Sequence, residues 1–270
     1  MRKSLIFNIL TFAIVILAGC GEYQRVMKTG DPNVKYEYAK RLYDEGKYAQ
    51  ASSILQEIVT YFRGTDRAEE TLYMLGMSNY NTKDYLNAGS YLSTYYKKYP
   101  KGKYVEDARF FCGYGLYLDS PDPQLDQSST IESIKELTNF LELYPNSPRV
   151  AEAQNAVFDM QDKLALKQLQ NAQLYYNLGT YGGNNYESAV IVAQNALKAY
   201  PYAKYKEQLE MLILKSRFQE AENSVNEKKT ERYTTVIDEY FSFINNYPES
   251  NYRSEADNIY KIAAKHVTID

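Results

Sequence analysis

Apolar residues recur along this chain with the period of an α-helix, and the pattern ends repeatedly at one short motif. The motif is YPKGKY at Tyr99, and it returns as YPNSPR at Tyr144, YPYAKY at Tyr200 and YPESNY at Tyr247. Residues 14, 11, 7 and 4 positions before each Tyr lie on one face of a helix. The pattern predicts that a helix ends at each Tyr, because the following Pro cannot continue it.

The predicted helical faces resemble one another closely. Three of them are Tyr85, Ala88, Leu92 and Tyr95; Tyr186, Ala189, Ala193 and Ala196; and Tyr233, Val236, Tyr240 and Phe243. An earlier copy lacks the Pro and consists of Tyr48, Ala51, Leu55, Ile58 and Phe62. The face before Tyr144 is less apolar, with Thr130 and Ser133 ahead of Leu137 and Phe140, and with Ile131 and Ile134 beside them. Five such helices predict a stacked array.

Another helix is predicted after each motif, starting at the small residue two positions after the Pro. It is the first helix of a pair, and the helix that ends at the next motif is the second. These predicted N-caps are Gly102, Ser147, Ala203 and Ser250. The paired helices resemble tetratricopeptide repeats, with Ala39 and Gly76 at the small position of the first helix and Tyr48 and Tyr85 in the second. Later motifs are 45, 56 and 47 residues apart, longer than the usual repeat of about 34. The predicted fold is all-α: a right-handed superhelical solenoid of about five stretched helix pairs with a C-terminal capping helix.

The first twenty residues have the pattern of a lipoprotein signal. Arg2 and Lys3 precede an apolar run, and Leu-Ala-Gly-Cys follows, ending at Cys20. This resembles the bacterial lipobox, which implies removal of residues 1–19 and a diacylglycerol and an N-acyl chain on Cys20. The alternative is an ordinary signal peptide or a short anchor with an incidental Cys. Residues 20–30 then form a lipidated tether, which we expect to be extended.

Charge and composition argue against several functional classes. The formal net charge is −3, and it becomes two units more negative when Arg2 and Lys3 are removed, so nucleic acid is not an expected partner. His266 is the only histidine, which opposes a histidine-based catalytic triad or a multi-histidine metal site. Cys112 lies in an apolar stretch and is expected to be a buried, inert thiol. We therefore expect no catalytic residues, no metal and no cofactor.

The lipobox, the stretched repeats, the Tyr-Pro motifs and a long fourth first-helix carrying DKLALK together resemble the BamD family. Its members are lipoprotein subunits of the outer-membrane β-barrel assembly (BAM) machinery. The resemblance implies a non-catalytic scaffold that is lipid-anchored in the outer membrane and faces the periplasm. The implied partners are the barrel-forming subunit, through its transport domains, other BAM lipoproteins, and unfolded outer-membrane proteins.

The resemblance also divides the chain by role. Repeats 1–3, residues 31–145, are the half expected to receive substrates, and residues 146–270, repeats 4–5 with the cap, the half expected to dock on the complex. First-helix residues predicted to lie off the buried stripe form a candidate partner-binding groove, and they are Tyr36, Lys40, Tyr43, Tyr73, Met77 and Tyr80. Ordinary packing or a solvated surface is the alternative for each of them.

Two other functional classes remain open from sequence. One is an enzyme with paired carboxylates, because spatial pairs are not visible in a sequence. The other is a tetratricopeptide lipoprotein that serves as an adaptor for cell-wall synthesis or glycan capture. The absence of Trp argues against sugar platforms. The acidic, Pro-rich segment after Leu118 is interpreted as a solvated insertion or a partner-binding loop.

Overall fold

In a computed structural model, residues 21–267 can be described, and within them the regular secondary structure is helical. The predicted signal sequence and Cys20 lie outside the described residues. The helices are α1 Pro32–Asp44, α2 Tyr48–Ile58, α3 Ala68–Asn81, α4 Tyr85–Lys98, α5 Val105–Leu118, α6 Ser128–Leu143, α7 Val150–Leu178, α8 Asn185–Ala199, α9 Lys206–Glu222, α10 Asn226–Asn246 and α11 Arg253–Ala263. The prediction of an all-α repeat protein is confirmed.

The Tyr-Pro motifs end helices as predicted. Helices α4, α8 and α10 stop at the residue before the motif Tyr, whose backbone N–H still bonds to the preceding turn. The next α-helix begins about three residues later than the predicted N-cap, at Val105, Lys206 and Arg253. Ser250 caps a tighter turn instead, since its Oγ accepts the N–H of Tyr252 at 2.9 Å. The predicted N-cap positions are therefore wrong, although the breaks are correctly placed.

Acidic residues of the preceding first helix hold these motifs in place. Glu69 of α3 accepts the backbone N–H of Lys103 at 2.7 Å, and Asp162 of α7 accepts that of Lys204 at 2.8 Å. Because the chain leaves helical geometry here, these N–H groups have no helical partner. The carboxylates satisfy the N–H groups and fix each motif against its repeat.

The predicted stripes form the core. Ala88, Leu92 and Tyr95 are fully buried, as are Tyr233 and Val236 in the last repeat. In α6, the position of a residue in the repeat decides whether it is buried, even where a neighbouring residue is more hydrophobic. Thr130 and Ser133 are fully buried there while Ile131 is 58% exposed, and the Ser133 hydroxyl donates to the carbonyl of Gly113 at 2.7 Å.

Two pairs of helices, α3 with α4 and α5 with α6, approach closely at a glycine. A Cβ atom on Gly76 would lie 2.7 Å from the nearest side-chain atom of Leu92, and one on Gly113 would lie 2.9 Å from Leu137. Both glycines are on first helices, facing the second helix of the same pair. They explain why the small position of the repeat is glycine here.

The chain forms two compact units. Among the described residues, unit 1 comprises 21–120 and 129–154, and unit 2 comprises 121–128 and 155–267. The acidic segment after Leu118 is held to α7 within unit 2, because the Lys167 ammonium donates to the Leu125 carbonyl at 2.6 Å. Gln127 is buried and also bonds within the segment. The segment is therefore anchored at Leu125 and Gln127, while most of its other side chains are exposed, as a solvated insertion requires.

Two connecting segments differ in how well they were predicted. Residues 21–28 are helical, so the expectation of an extended tether is wrong. The GTYGGNN segment forms the predicted left-handed turn, with Gly179 at φ +57° and Gly182 at φ +71°. Among residues 21–267, no helix combines the length and apolar character that crossing a membrane requires.

Candidate functional site

The first helices of unit 1 lie side by side and present a common surface, the unit 1 face. Helix α1 contacts α3, and α3 contacts α5. The sequence-predicted groove residues all belong to α1 and α3. The six side chains lie on these two neighbouring helices, but they differ in how much of each is exposed to solvent.

Glu70 organises the N-terminal part of the unit 1 face. Its carboxylate accepts a short hydrogen bond from the Tyr36 hydroxyl and an ion pair from Lys40 at 2.8 Å. Partial burial opposes ionisation, yet the hydrogen bonds from Lys40 and Tyr36 outweigh it and lower the pKa of Glu70. Burial and the neighbouring Glu70 raise the pKa of Tyr36. This part of the face is an internally satisfied polar cluster.

Stacked tyrosines form the middle of the unit 1 face. The rings of Tyr73 and Tyr104 are parallel, with centroids 4.1 Å apart. Tyr43 packs against the same apolar cluster, and its burial raises its pKa to about 12. Tyr80 contacts Phe111 of α5 edge-to-face at 4.8 Å, and burial raises its pKa to about 12 as well. Neutral phenols therefore pack between these helices.

Half of the predicted groove residues are core residues. Tyr36, Tyr73 and Met77 are 4%, 9% and 7% exposed, so the interpretation that they lie off the buried stripe is wrong. The cause is packing of the next repeat, which covers the inner side of each first helix. Lys40, Tyr43 and Tyr80 remain partly exposed.

A charged hollow of about 500 Å³ completes the unit 1 face. None of its lining residues was predicted as a site residue from the sequence. It is lined by Lys103, Glu106, Asp107, Pro148, Arg149 and Glu152. The Arg149 guanidinium pairs with Asp107 at 3.1 Å and lies 4.7 Å from the ring centroid of Phe111. Arg149, which ends the YPNSPR motif, is the sequence feature that could have indicated this hollow. The hollow offers cationic and anionic groups to a polar partner.

Unit 2 contains a groove of about 470 Å³ between its own first helices α7, α9 and α11, here called the unit 2 groove. Its lining is Leu169, Gln170, Gln173, Leu174, Asn177, Gln208, Met211, Leu212, Lys215, Tyr252 and Glu255. Leu174 is 57% exposed. The Oε1 atom of Gln208 is buried and accepts no hydrogen bond from the described residues. An apolar floor edged by side-chain amides suits a polypeptide partner.

The sequence could not reveal this groove. Its residues come from three helices separated by whole repeats, and only their fold brings them together. The long α7, already conspicuous as an uninterrupted run, was the only local signal.

Possible reactive groups are placed in structural roles. The ring of His266 stacks on Tyr233 at 4.2 Å. Cys112 is buried, its thiol donates to the Gly89 carbonyl at 3.5 Å, and burial raises its pKa to about 12. Within residues 21–267 no cluster of three or more His, Cys, Asp or Glu side chains has metal-binding geometry.

Comparisons with known proteins give a matching family and relatives that are named as outer membrane protein assembly factors. Residues 28–182 match the YfiO family, described as outer membrane lipoprotein. A relative from Aquifex aeolicus, the putative outer membrane protein assembly factor BamD, is 25% identical over 134 residues, which are 49% of this chain and 44% of the relative. A relative from Pasteurella multocida, outer membrane protein assembly factor BamD, is 23% identical over 185 residues, covering 65% of this chain and 71% of the relative.

The family match extends over more than half of the chain, and it includes the whole unit 1 face and the start of the unit 2 groove. The alignment to the Aquifex relative spans less than half of that protein. The family match starts in the segment before α1 and ends just after α7, so helices α8 to α11 lie outside it. The chain belongs to the YfiO family of outer membrane lipoproteins.

Proposed function

We propose that this protein is a non-catalytic subunit of the outer-membrane β-barrel assembly machinery. It is anchored in the outer membrane by diacylglycerol and an N-acyl chain on Cys20 and faces the periplasm. Its repeats bind the barrel-forming subunit, alongside other lipoprotein subunits, and receive unfolded outer-membrane proteins. The names of the two relatives, both assembly factors, support this proposal.

The observation that carries the proposal is the unit 2 groove. The exposed Leu174 lies with Leu169 in a concave, mainly apolar groove, and such grooves are where partners bind. Gln170, Gln173 and Asn177 line the same groove and offer both donors and acceptors to a polypeptide backbone. We assign this groove to the barrel-forming subunit.

We assign the unit 1 face to unfolded substrates. Lys40, Tyr43 and Tyr80 remain partly exposed there, and the hollow adds the cations of Lys103 and Arg149 beside three carboxylates. Tyrosines and arginine combine large contact area with hydrogen bonding, as binding surfaces for varied sequences require. The arrangement holds peptides without performing chemistry on them.

The experiment is a mild-detergent pull-down of the lipidated protein from its native envelope, with mass spectrometry of the co-purified proteins. The test variant is Leu174→Asp, which places a charge in the unit 2 groove. The matched control is Ile191→Asp on α8 of the same unit, since Ile191 is 50% exposed and does not line the groove. We expect at least tenfold loss of the barrel-forming subunit with Leu174→Asp and little change with the control.

Two results would contradict the proposal. Equal recovery of the barrel-forming subunit with both variants would remove the groove from the docking surface. Absence of that subunit from the wild-type sample, with cell-wall enzymes or glycan transporters enriched instead, would favour the adaptor function and reject assembly.

A further inference from the structure

The segment before α1 docks on the fold in a defined orientation. Within the helical residues 21–28, Val26 is 6% exposed and packs with Tyr23 and Met27 into the first hydrophobic cluster. Glu22 pairs with Arg41 of the last turn of α1 at 2.7 Å. Only Thr29 and Gly30 separate this helix from Asp31, which caps the start of α1. The segment therefore runs antiparallel to α1, and its first residue lies near the C-terminal end of α1.

Two turns of unit 1 meet at that end, and we call them the Gly46 edge. They are residues 45–47, between α1 and α2, and residues 82–84, between α3 and α4. Both border one hollow, lined by Gly46–Gln50 together with Asn81 and Thr82. The chain that leads to Cys20 thus reaches unit 1 at this edge.

The Gly46 edge exposes side chains suited to a lipid surface. Leu86, at the start of α4, is 62% exposed. Two carboxylates near the turns are already engaged, because Glu45 pairs with Lys47 at 2.7 Å and Asp84 accepts from the Asn87 side chain at 2.8 Å. Exposed lysines beside apolar residues can place their ammonium groups among lipid phosphates.

Lys83 occupies an unusual backbone conformation at this edge. Its φ is +65°, and the equivalent turn position of the preceding repeat is Gly46 at φ +75°. Glycine adopts this left-handed region without steric cost, whereas lysine does not. A lysine in a backbone conformation that glycine would adopt without strain points to a role for its side chain.

We propose that the Gly46 edge lies against the membrane surface, with Leu86 at the interface and Lys83 close to lipid phosphates. The inference rests on the proposed lipidation of Cys20. Gly21 follows Cys20 directly and belongs to the docked helix, and one residue spans at most about 3.6 Å. The described residues after Cys20 therefore supply no long linker that would let unit 1 turn away from the lipid.

Fluorescence quenching in proteoliposomes tests this orientation. The lipidated full chain, in a Cys112→Ala background, carries a fluorophore at Lys83→Cys or at Lys101→Cys, and the quencher is a phospholipid spin-labelled on its headgroup. These positions flank α4, whose 14 residues place them about 20 Å apart. A second pair, Lys47→Cys and Arg63→Cys, flanks α2.

We expect severalfold stronger quenching at positions 83 and 47 than at positions 101 and 63. Equal quenching within each pair, or stronger quenching at 101 and 63, would overturn the proposed orientation. Co-sedimentation with the vesicles and the mass of the N-terminal peptide report anchoring separately. If the wild-type protein lacks lipid and stays in the supernatant, the anchoring proposal fails, and this inference fails with it.

Discussion

The two units use the same helix-pair repeat but differ in how the first helices pack and in what covers their inner side. In unit 1, Gly76 and Gly113 bring first and second helices together, and tyrosines such as Tyr73 fill the inner side. In unit 2, helices α7 to α11 contain no glycine, and the corresponding side retains a groove with Leu174 exposed. Small residues occur there as alanines on α8, including Ala189 and Ala193.

This difference shows how one repeat serves two purposes. Rings and ion pairs of the unit 1 face contact one another, so that face offers mainly its polar rim to a partner. The unit 2 groove leaves apolar area and the Gln208 acceptor without a partner in the described part of the chain. Breaking the satisfied contacts should destabilise unit 1, and each change below has a counterpart that should be tolerated.

The largest effect is expected from Gly76→Ala. The new Cβ would lie 2.7 Å from Leu92 Cδ2 and 2.8 Å from Leu92 Cγ, and Leu92 is fully buried. Either α3 and α4 separate or Leu92 leaves its rotamer, which costs about 1–3 kcal/mol of unfolding free energy. Urea denaturation followed by circular dichroism measures this loss.

Gly89→Ala is the matched control, also inside a helix of unit 1. Its new Cβ would have no neighbour closer than 3.9 Å. Replacing a helical glycine without a clash should raise the unfolding free energy by about 0.5–1 kcal/mol. If both variants lose the same stability, close approach at Gly76 does not explain the packing of unit 1.

A smaller loss of unfolding free energy is expected from Tyr95→Phe, which removes the hydroxyl that holds the first Tyr-Pro motif. The Tyr95 hydroxyl donates to Glu69 at 2.5 Å and accepts the Tyr104 N–H at 3.0 Å, and Tyr95 is fully buried. Tyr95→Phe should cost about 1–2 kcal/mol, because both partners lose a bond in a buried site. Thermal unfolding monitored by calorimetry checks the value.

Tyr247→Phe makes the comparable change in unit 2. Its hydroxyl donates to Glu210 at 2.9 Å, and the same carboxylate also accepts from Asn246. Tyr247 is only half-buried, so water can replace the lost bond, and we expect a loss below about 1 kcal/mol. A larger loss than that of Tyr95→Phe would mean that burial does not set the strength of these contacts.

The helices were predictable because their signals are local. Pro breaks and the helical period locate α4, α8 and α10 to within a few residues. The binding surfaces were less predictable, because burial of Tyr36 and Tyr73 depends on the next repeat in space. Burial of Thr130 and Ser133 in place of Ile131, by contrast, follows the position in the repeat that the sequence pattern had already assigned to them. The unit 2 groove requires α7, α9 and α11 to be assembled before it exists.

The smallest expected effects concern two carboxylates whose pKa values move in opposite directions. Hydrogen bonds from Lys40 and Tyr36 overcome burial and lower the pKa of Glu70 in unit 1 from 4.5. Burial raises the pKa of Glu239 in unit 2 from the same value. Ionised Glu70 therefore stabilises the fold above about pH 4.5, and this contribution is lost as pH falls through its folded pKa. For Glu239 the unfolded chain ionises first, so stability falls as pH rises from 4.5 through its folded pKa.

Urea unfolding between about pH 3.5 and 7.5 should separate these two carboxylates. Glu70→Gln should cost about 1 kcal/mol or less at neutral pH, with the cost fading in acid, because its partners lose a charged acceptor. Glu239→Gln should instead increase stability by less than about 1 kcal/mol at neutral pH and by nothing below about pH 4.5, because the partly buried charge is removed. If both variants lose stability at neutral pH, Glu239 has a favourable partner when ionised. Unit 2 would then be as internally satisfied around its carboxylates as unit 1, and the difference between the units would be confined to the open groove.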